Sequence, residues 1–139
     1  MASKVFIDAN IILDLTLKRE HHTEAMQIFE LAIAGNIFLF ISPSITHIVG
    51  YWLTKTYGVT KAKEILLTLL ADVRVIEIPH ENVVAALHSK IKDIEDALQY
   101  YTAIHHKLDY FVTRDIGLIK ESTAILPIVT VKEFLREMQ

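Results

Sequence analysis

"KVFIDANIILDL", residues 4–15, joins two unlike signals. Lys4-Val5-Phe6-Ile7 reads as a buried strand, because three large apolar residues follow one another without a polar break. Asp8 then stands where that strand leaves a hydrophobic core. A carboxylate in such a place costs free energy unless it is paired or bound to a cation. From Ile11 to Lys18 the chain turns apolar again and reads as a short helix. The stretch is therefore a strand–acid–helix unit, with the acid at the carboxyl end of the strand.

Working outward, the same alternation recurs. A helix is expected from about His22 to Ala34, with Ala25, Ile28, Phe29 and Ala32 at helical spacing and Gly35-Asn36 closing it. "IFLFI", Ile37 to Ile41, is a continuous apolar run of the kind found in parallel strands buried on both faces. Ser42 as N-cap and Pro43 at the first helical position start a helix that runs to Tyr57, and Gly58 stops it. Thr60–Leu70 is a further helix. Val73–Ile78 is a β-branched strand bounded by Pro79, and a helix follows from Glu81 to Lys90. "KDIEDALQYYTAIHHK" forms a helix starting near Asp93. "DYFVT", Asp109–Thr113, is a strand, "ILPIVTV" holds a last short strand, and Val131–Glu137 is a last helix. Strands alternating with helices predict an α/β fold with a mainly parallel, five-stranded sheet. Ligands in such sheets bind beyond the carboxyl ends of the strands.

Composition bounds the rest. A chain of 139 residues with 52% hydrophobic content fits one domain, residues 1–139, with a sizeable core. No apolar run approaches the roughly 18 residues of a membrane span, and no signal-peptide stretch opens the chain. With no cysteine there is no disulfide framework and no thiolate metal site, which suits a cytoplasmic location. Net charge is −3, from 14 Lys+Arg against 17 Asp+Glu, which argues against nucleic-acid binding through a general basic surface. It leaves room for a nuclease whose acidic site is offset by metal ions.

Acids gather at the strand ends. Asp8 ends the first strand, Asp115 follows "YFVT" by two residues, and Asp93 and Asp96 open the helix leading into that strand. If the first strand lies beside the fourth, these carboxylates meet at one edge. Like charges sharing a pocket repel, and a hard divalent cation removes the conflict. Such an ion polarises phosphoryl oxygens and generates hydroxide, which points to phosphodiester chemistry. Plainer readings stand beside this one: Asp93 or Asp96 as a helix cap, and Asp115 as a turn residue.

Three motifs, "VFIDANIILDL", "DIEDALQYYTA" and "DYFVTRD", together resemble the PIN-domain family, in order and separation and over nearly the whole chain. The flavour is that of small bacterial PIN proteins, many of them ribonuclease toxins of type II toxin–antitoxin pairs. The resemblance implies a three-layer α/β/α domain and an Mg2+- or Mn2+-dependent endoribonuclease site. Asp8, Asp96 and Asp115 match the family's metal-holding acids, and Asp93 a further acid of some members. Asn10 and Thr113 match polar positions that hold those acids by hydrogen bonds. An RNA substrate, a cognate antitoxin protein and a homodimer follow from the same likeness; the apolar helices from Ile48 to Leu70 read either as its interface or as core.

The chain departs from the family at one place. Members commonly carry a glutamate in the helix after the second strand, whereas Ile37 to Lys63 holds no acid and His47 is the nearest equivalent. Imidazole is a poor Mg2+ ligand but an acceptable Mn2+ one. His47 is otherwise a phosphate contact, a proton shuttle, or a histidine hydrogen-bonded beside the site. The departure keeps a second reading open, a catalytically weak PIN-like module that binds RNA or a protein. Arg114, beside Thr113, is suited either to a bidentate phosphate contact or to pairing with a neighbour. Lys55, Lys61, Lys63, Lys90 and Lys92 form either a modest basic rim for RNA or a solvated helix face.

Other phosphoryl-transfer and metal readings fit less well. Haloacid-dehalogenase-type phosphatases place a second aspartate where Asn10 stands. Receiver domains need paired acids near the first strand's end, where this chain reads Ile7-Asp8-Ala9. Adjacent histidines, His21-His22 and His105-His106, diverge by about 100° on a helix and do not suit zinc.

Overall fold

The structure, a computed structural model, describes residues 2–139. Its elements run β1 (Ser3–Ile7), α1 (Ala9–Thr16), α2 (His22–Ile33), β2 (Ile37–Ile41), α3 (Pro43–Tyr57), α4 (Val59–Leu69), β3 (Val73–Val75), α5 (His80–His88), α6 (Ile94–His105), β4 (Tyr110–Val112), α7 (Ile116–Ile119), β5 (Ile128–Val129) and α8 (Val131–Glu137). The five strands form one sheet, in the order β3-β2-β1-β4-β5, with every pairing parallel. From β1 the chain builds outward through β2 to β3, then returns to the other side of β1 for β4 and β5. The order therefore reverses between β1 and β4, and the carboxyl ends of those two strands flank the crevice where α/β folds take ligands.

Helices cover both faces, giving three layers. Side chains alternate across a strand, so Phe6 and Phe111 face one way and Val5, Ile7 and Val112 the other. Phe6 stacks on Phe111, ring centroids 5.1 Å apart, and Tyr100 of α6 packs edge-on to Phe111 at 5.7 Å. On the opposite face Tyr110 meets Phe134 of α8 at 5.3 Å. Val5, Phe6 and Ile7 are fully buried. Among the described residues no helix is long and apolar enough to cross a membrane.

Several boundaries differ from expectation. β2 is not buried on both faces: Phe38 is 54% exposed. β3 stops at Val75; Ile76 still donates to Ile41 O at 2.8 Å, and the chain then leaves the sheet toward Pro79. α5 ends at His88 rather than Lys90, where the Ser89 hydroxyl donates to Ala86 O at 2.7 Å. Asp109 and Thr113 lie outside β4, and Asp109 accepts from Lys4 N at 2.8 Å through its side chain. α7 was not expected, since four residues carry no readable periodicity.

Candidate active site

Asp8 closes β1 and caps α1. Its backbone is extended, its N–H donates to Val112 O at 3.3 Å, and its Oδ1 accepts from Asn10 N at 3.0 Å. Oδ2 accepts from the Thr113 hydroxyl, across the β1–β4 junction. Thr113 is fully buried, and its oxygen in turn accepts from Asp115 N at 3.0 Å. One hydroxyl thus ties together the acids that follow two neighbouring strands. Asp115 caps α7, with Oδ1 accepting from Gly117 N at 2.9 Å and Leu118 N at 3.4 Å. The Asn10 side chain does not hold an acid: its backbone N–H does that work, while its Oδ1 accepts from Arg19 Nη1 at 3.4 Å.

The other acids come from the start of α6. Asp93 is its N-cap, accepting from Asp96 N at 2.9 Å, so the capping reading of Asp93 describes what the side chain does here. Asp96 lies half-buried in the first turn. Its carboxyl is pushed up to about 6, first by burial and then by the charges of Asp93, Asp115, Asp8 and Glu95. Burial also raises Asp8, against the opposing pull of its hydrogen bonds to Thr113, Ile11 and Asn10 and of the Arg114 charge. Glu95, which the sequence reading did not single out, is raised by desolvation and then by Asp93 and Asp8. The fold therefore brings Asp8, Asp93, Asp96 and Asp115 into one electrostatic neighbourhood, as four acids from two strand ends and one helix start.

The donor set is all oxygen, which suits a hard divalent cation. Among the described residues no group of three or more His, Asp or Glu side chains is already arranged to hold a metal ion. Mg2+ does not require such an arrangement, because it keeps several waters and binds directly through one or two carboxylates. The donors fit the ion in chemistry, with their final geometry left to binding.

His47 is exposed on α3, and its neighbourhood is instead organised by a network absent from the sequence reading. Buried Ser42 donates to Gln99 Oε1, and Gln99 Nε2 donates to Ser44 Oγ at 2.6 Å, joining the start of α3 to α6 three residues past Asp96. Arg114 is committed to a neighbour: its Nε lies 2.9 Å from Oδ2 of Asp14, a residue 1% exposed on α1. Sequence reasoning passed over Asp14, although an acid inside "IILDL" is itself the signal of a buried pair. Two of the five lysines of the expected rim have neighbours of their own. Lys55 lies over Tyr51 and Trp52, and Lys61 pairs with Glu64 at 4.0 Å. At ~1.5 Å per residue, Lys55 stands about 18 Å along α3 from the end near Gln99.

The profile of a family described as "PIN domain" matches residues 4–117. No curated protein matches. Among solved structures, VapBC2 from Rickettsia felis, bound to a DNA fragment from its promoter, is similar with TM-score 0.68 and 16% identity, over 91% of this chain and 98% of that one. A toxin–antitoxin complex from Klebsiella pneumoniae is similar with TM-score 0.65 and 24% identity, over 88% and 94%. VapC20 from Mycobacterium tuberculosis, described as a sarcin-ricin loop cleaving toxin, gives 0.60 and 15%, over 77% and 86%.

Proposed function

Since the chain belongs to the PIN-domain family, we propose that it is a metal-dependent endoribonuclease, the toxin of a toxin–antitoxin pair. The observation that carries this reading is the convergence at the switch point of Asp8 and Asp115, tied through the one Thr113 hydroxyl, with Asp96 of α6, whose carboxyl burial and the neighbouring acids push up to about 6. Such a cluster suits a site that takes positive charge during its working cycle. Asp8, Asp96 and Asp115 would hold Mg2+ or Mn2+, with Asp93 assisting. When bound, the ion supplies Lewis acidity to a phosphoryl oxygen and lowers the pKa of its water.

The chain's own residues do the rest. Thr113 and the Asn10 N–H fix both oxygens of Asp8, and the N–H groups of Gly117 and Leu118 fix Asp115. These bonds prepay the ordering that a loose acid would undergo on binding. The carboxylates repel a phosphodiester by themselves, so RNA is admitted only with compensating charge.

The two complexes named above are toxin–antitoxin assemblies, and this supports an antitoxin protein as partner, covering the acidic crevice. A homodimer through α3 and α4 is supported by Tyr51, Trp52, Val59 and Leu67, all exposed. We place the protein in the cytoplasm as one domain, residues 1–139, with β5 and α8 beyond the matched segment completing the same sheet and its cover. A binding module without turnover is the second reading, favoured by the exposed His47 at the place of the family's glutamate.

Calorimetry with Mg2+ and Mn2+ and an RNA-cleavage screen, on wild type and Asp8→Asn, test the proposal. The wild type should bind metal and cut RNA, and Asp8→Asn should lose both while still unfolding in one cooperative transition. Equal cleavage by both proteins removes the site assignment. RNA binding without metal-stimulated cleavage selects the second reading.

A further inference from the structure

One charged pair beside the acids has no part in the scheme above. Arg114 lies in the chain between Thr113, which holds Asp8, and Asp115. Its Nε meets Oδ2 of Asp14 at 2.9 Å, from α1 on the other side of the β1–β4 junction. Asp14 is 1% exposed; burial raises its carboxyl, and the Arg114 charge pulls it back down. Arg19 adds its charge on the same carboxylate, and Glu24 opposes it. Arg19 also reaches Asn10, two residues past Asp8.

The pair is one-sided. A closed guanidinium–carboxylate fork engages Nε and one Nη against both oxygens. Here neither Asp14 Oδ1 nor Arg114 Nε has a hydrogen-bond partner, so the two side chains meet as a charge contact, Nε to Oδ2 at 2.9 Å, and no Nη is spent on Oδ1. Nε is itself buried, yet the Arg114 side chain is 32% exposed, so the exposed part lies elsewhere on that side chain. A guanidinium seated against a carboxylate on its Nε side, with two N–H-bearing nitrogens left over, matches a pair of phosphate oxygens.

We propose that Asp14 is a positioning residue, whose buried carboxylate seats the Arg114 guanidinium by charge contact on its Nε side, so that its Nη nitrogens receive an RNA phosphate adjoining the one at the acids. The inference rests on the nuclease reading. It assigns the substrate contact to the backbone rather than to a base, so this contact discriminates charge and spacing and not sequence. Anchoring matters because a free arginine loses more rotamer entropy on binding than one already fixed.

The test is anisotropy of a labelled single-stranded RNA oligonucleotide on the full chain. Fixed Ca2+, an oxygen-preferring ion like Mg2+, replaces Mg2+ to neutralise the acids, and monovalent salt is varied. Losing one phosphate contact lowers the slope of log K against log salt by about 0.7 for a single strand. Arg114→Gln should show that drop. Arg114→Lys should show it too, because its single ammonium stays with Asp14, while its melting temperature stays near wild type. Asp14→Asn should weaken binding about as much as Arg114→Gln, although the arginine is retained. Wild-type slope and affinity in Arg114→Lys and Asp14→Asn, with wild-type RNA binding intact, overturn the clamp and leave the nuclease reading standing. Failure of the wild type to bind RNA at all overturns both.

Discussion

Thr113 shows how much one hydroxyl carries here. It donates to Asp8 and accepts from Asp115 N, so replacing it with an isosteric apolar residue leaves two polar groups short of a partner. Thr113→Val should cost about 1–3 kcal/mol by urea unfolding and weaken Mg2+ or Mn2+ binding by roughly 10–100-fold. Wild-type metal affinity in that variant would remove Thr113 from the site. Asp96 makes a pH prediction. Its carboxyl sits at about 6 in the fold, against 3.8 for an ordinary aspartate, so the folded state binds more protons than the unfolded between those values. Stability of the metal-free protein should therefore fall as pH rises from about 4 to about 6 and level off above. Asp8 and Glu95 are raised as well and push the same way. Metal competes with the same proton, so metal affinity should climb over that window. Melting curves from pH 4 to 8, in EDTA and in Mg2+, check both; a metal-free melting temperature rising toward pH 6 contradicts the assignment. Asp8 was legible because an acid ends an apolar run. The Asp14–Arg114 pair was not, since a lone sequence does not say which cation meets a buried acid.

Local chemistry dictates most elements. α3 begins and ends where Ser42, Pro43 and Gly58 require, with Ser42 Oγ accepting from Ile45 N at 3.4 Å. Gly58 has φ 86° and ψ 163°, a region open essentially to glycine, and it sets the turn from α3 into α4. Gly58→Ala should cost about 1–3 kcal/mol, read as a lower denaturant midpoint at unchanged slope. A variant as stable as wild type would mean that the turn relaxes freely. Elements of two to four residues behave otherwise. β3, β5 and α7 are too short for a period to show, and their ends are set by neighbours: β5 pairs with β4 at Phe111↔Ile128 and Val112↔Val129. Asp115, legible as a turn residue, becomes a helix cap only once α7 exists behind it.

At the scale of the molecule, strand order decides where the acids meet. β1 pairs with β4 through Val5↔Tyr110, Phe6↔Phe111 and Ile7↔Val112, a register that sets Asp8 beside Thr113. The apolar surface left over is concentrated on α3 and α4, where Leu67 is 71% exposed and Trp52 43%. If that surface is a homodimer interface, Leu67→Glu should convert a dimer into a monomer in sedimentation velocity with little change in thermal stability of the isolated fold. A wild-type chain that sediments as a monomer at tens of micromolar, or a Leu67→Glu dimer, would remove α3–α4 from that role.

By itself the sequence determined the strand–helix alternation, the caps of α3, and the acids worth watching, because apolar period, capping chemistry and a charge beside an apolar run are all local signals. Only the tertiary structure decided which strand lies beside which, and with it the convergence of Asp8, Asp93, Asp96 and Asp115. It also decided the burial of Asp14 with Arg114, the Ser42–Gln99–Ser44 network, and the exposure of Phe38 and His47. Each of these depends on residues far apart in the chain being packed together, and pairing, burial and charge coupling are properties of neighbours in space.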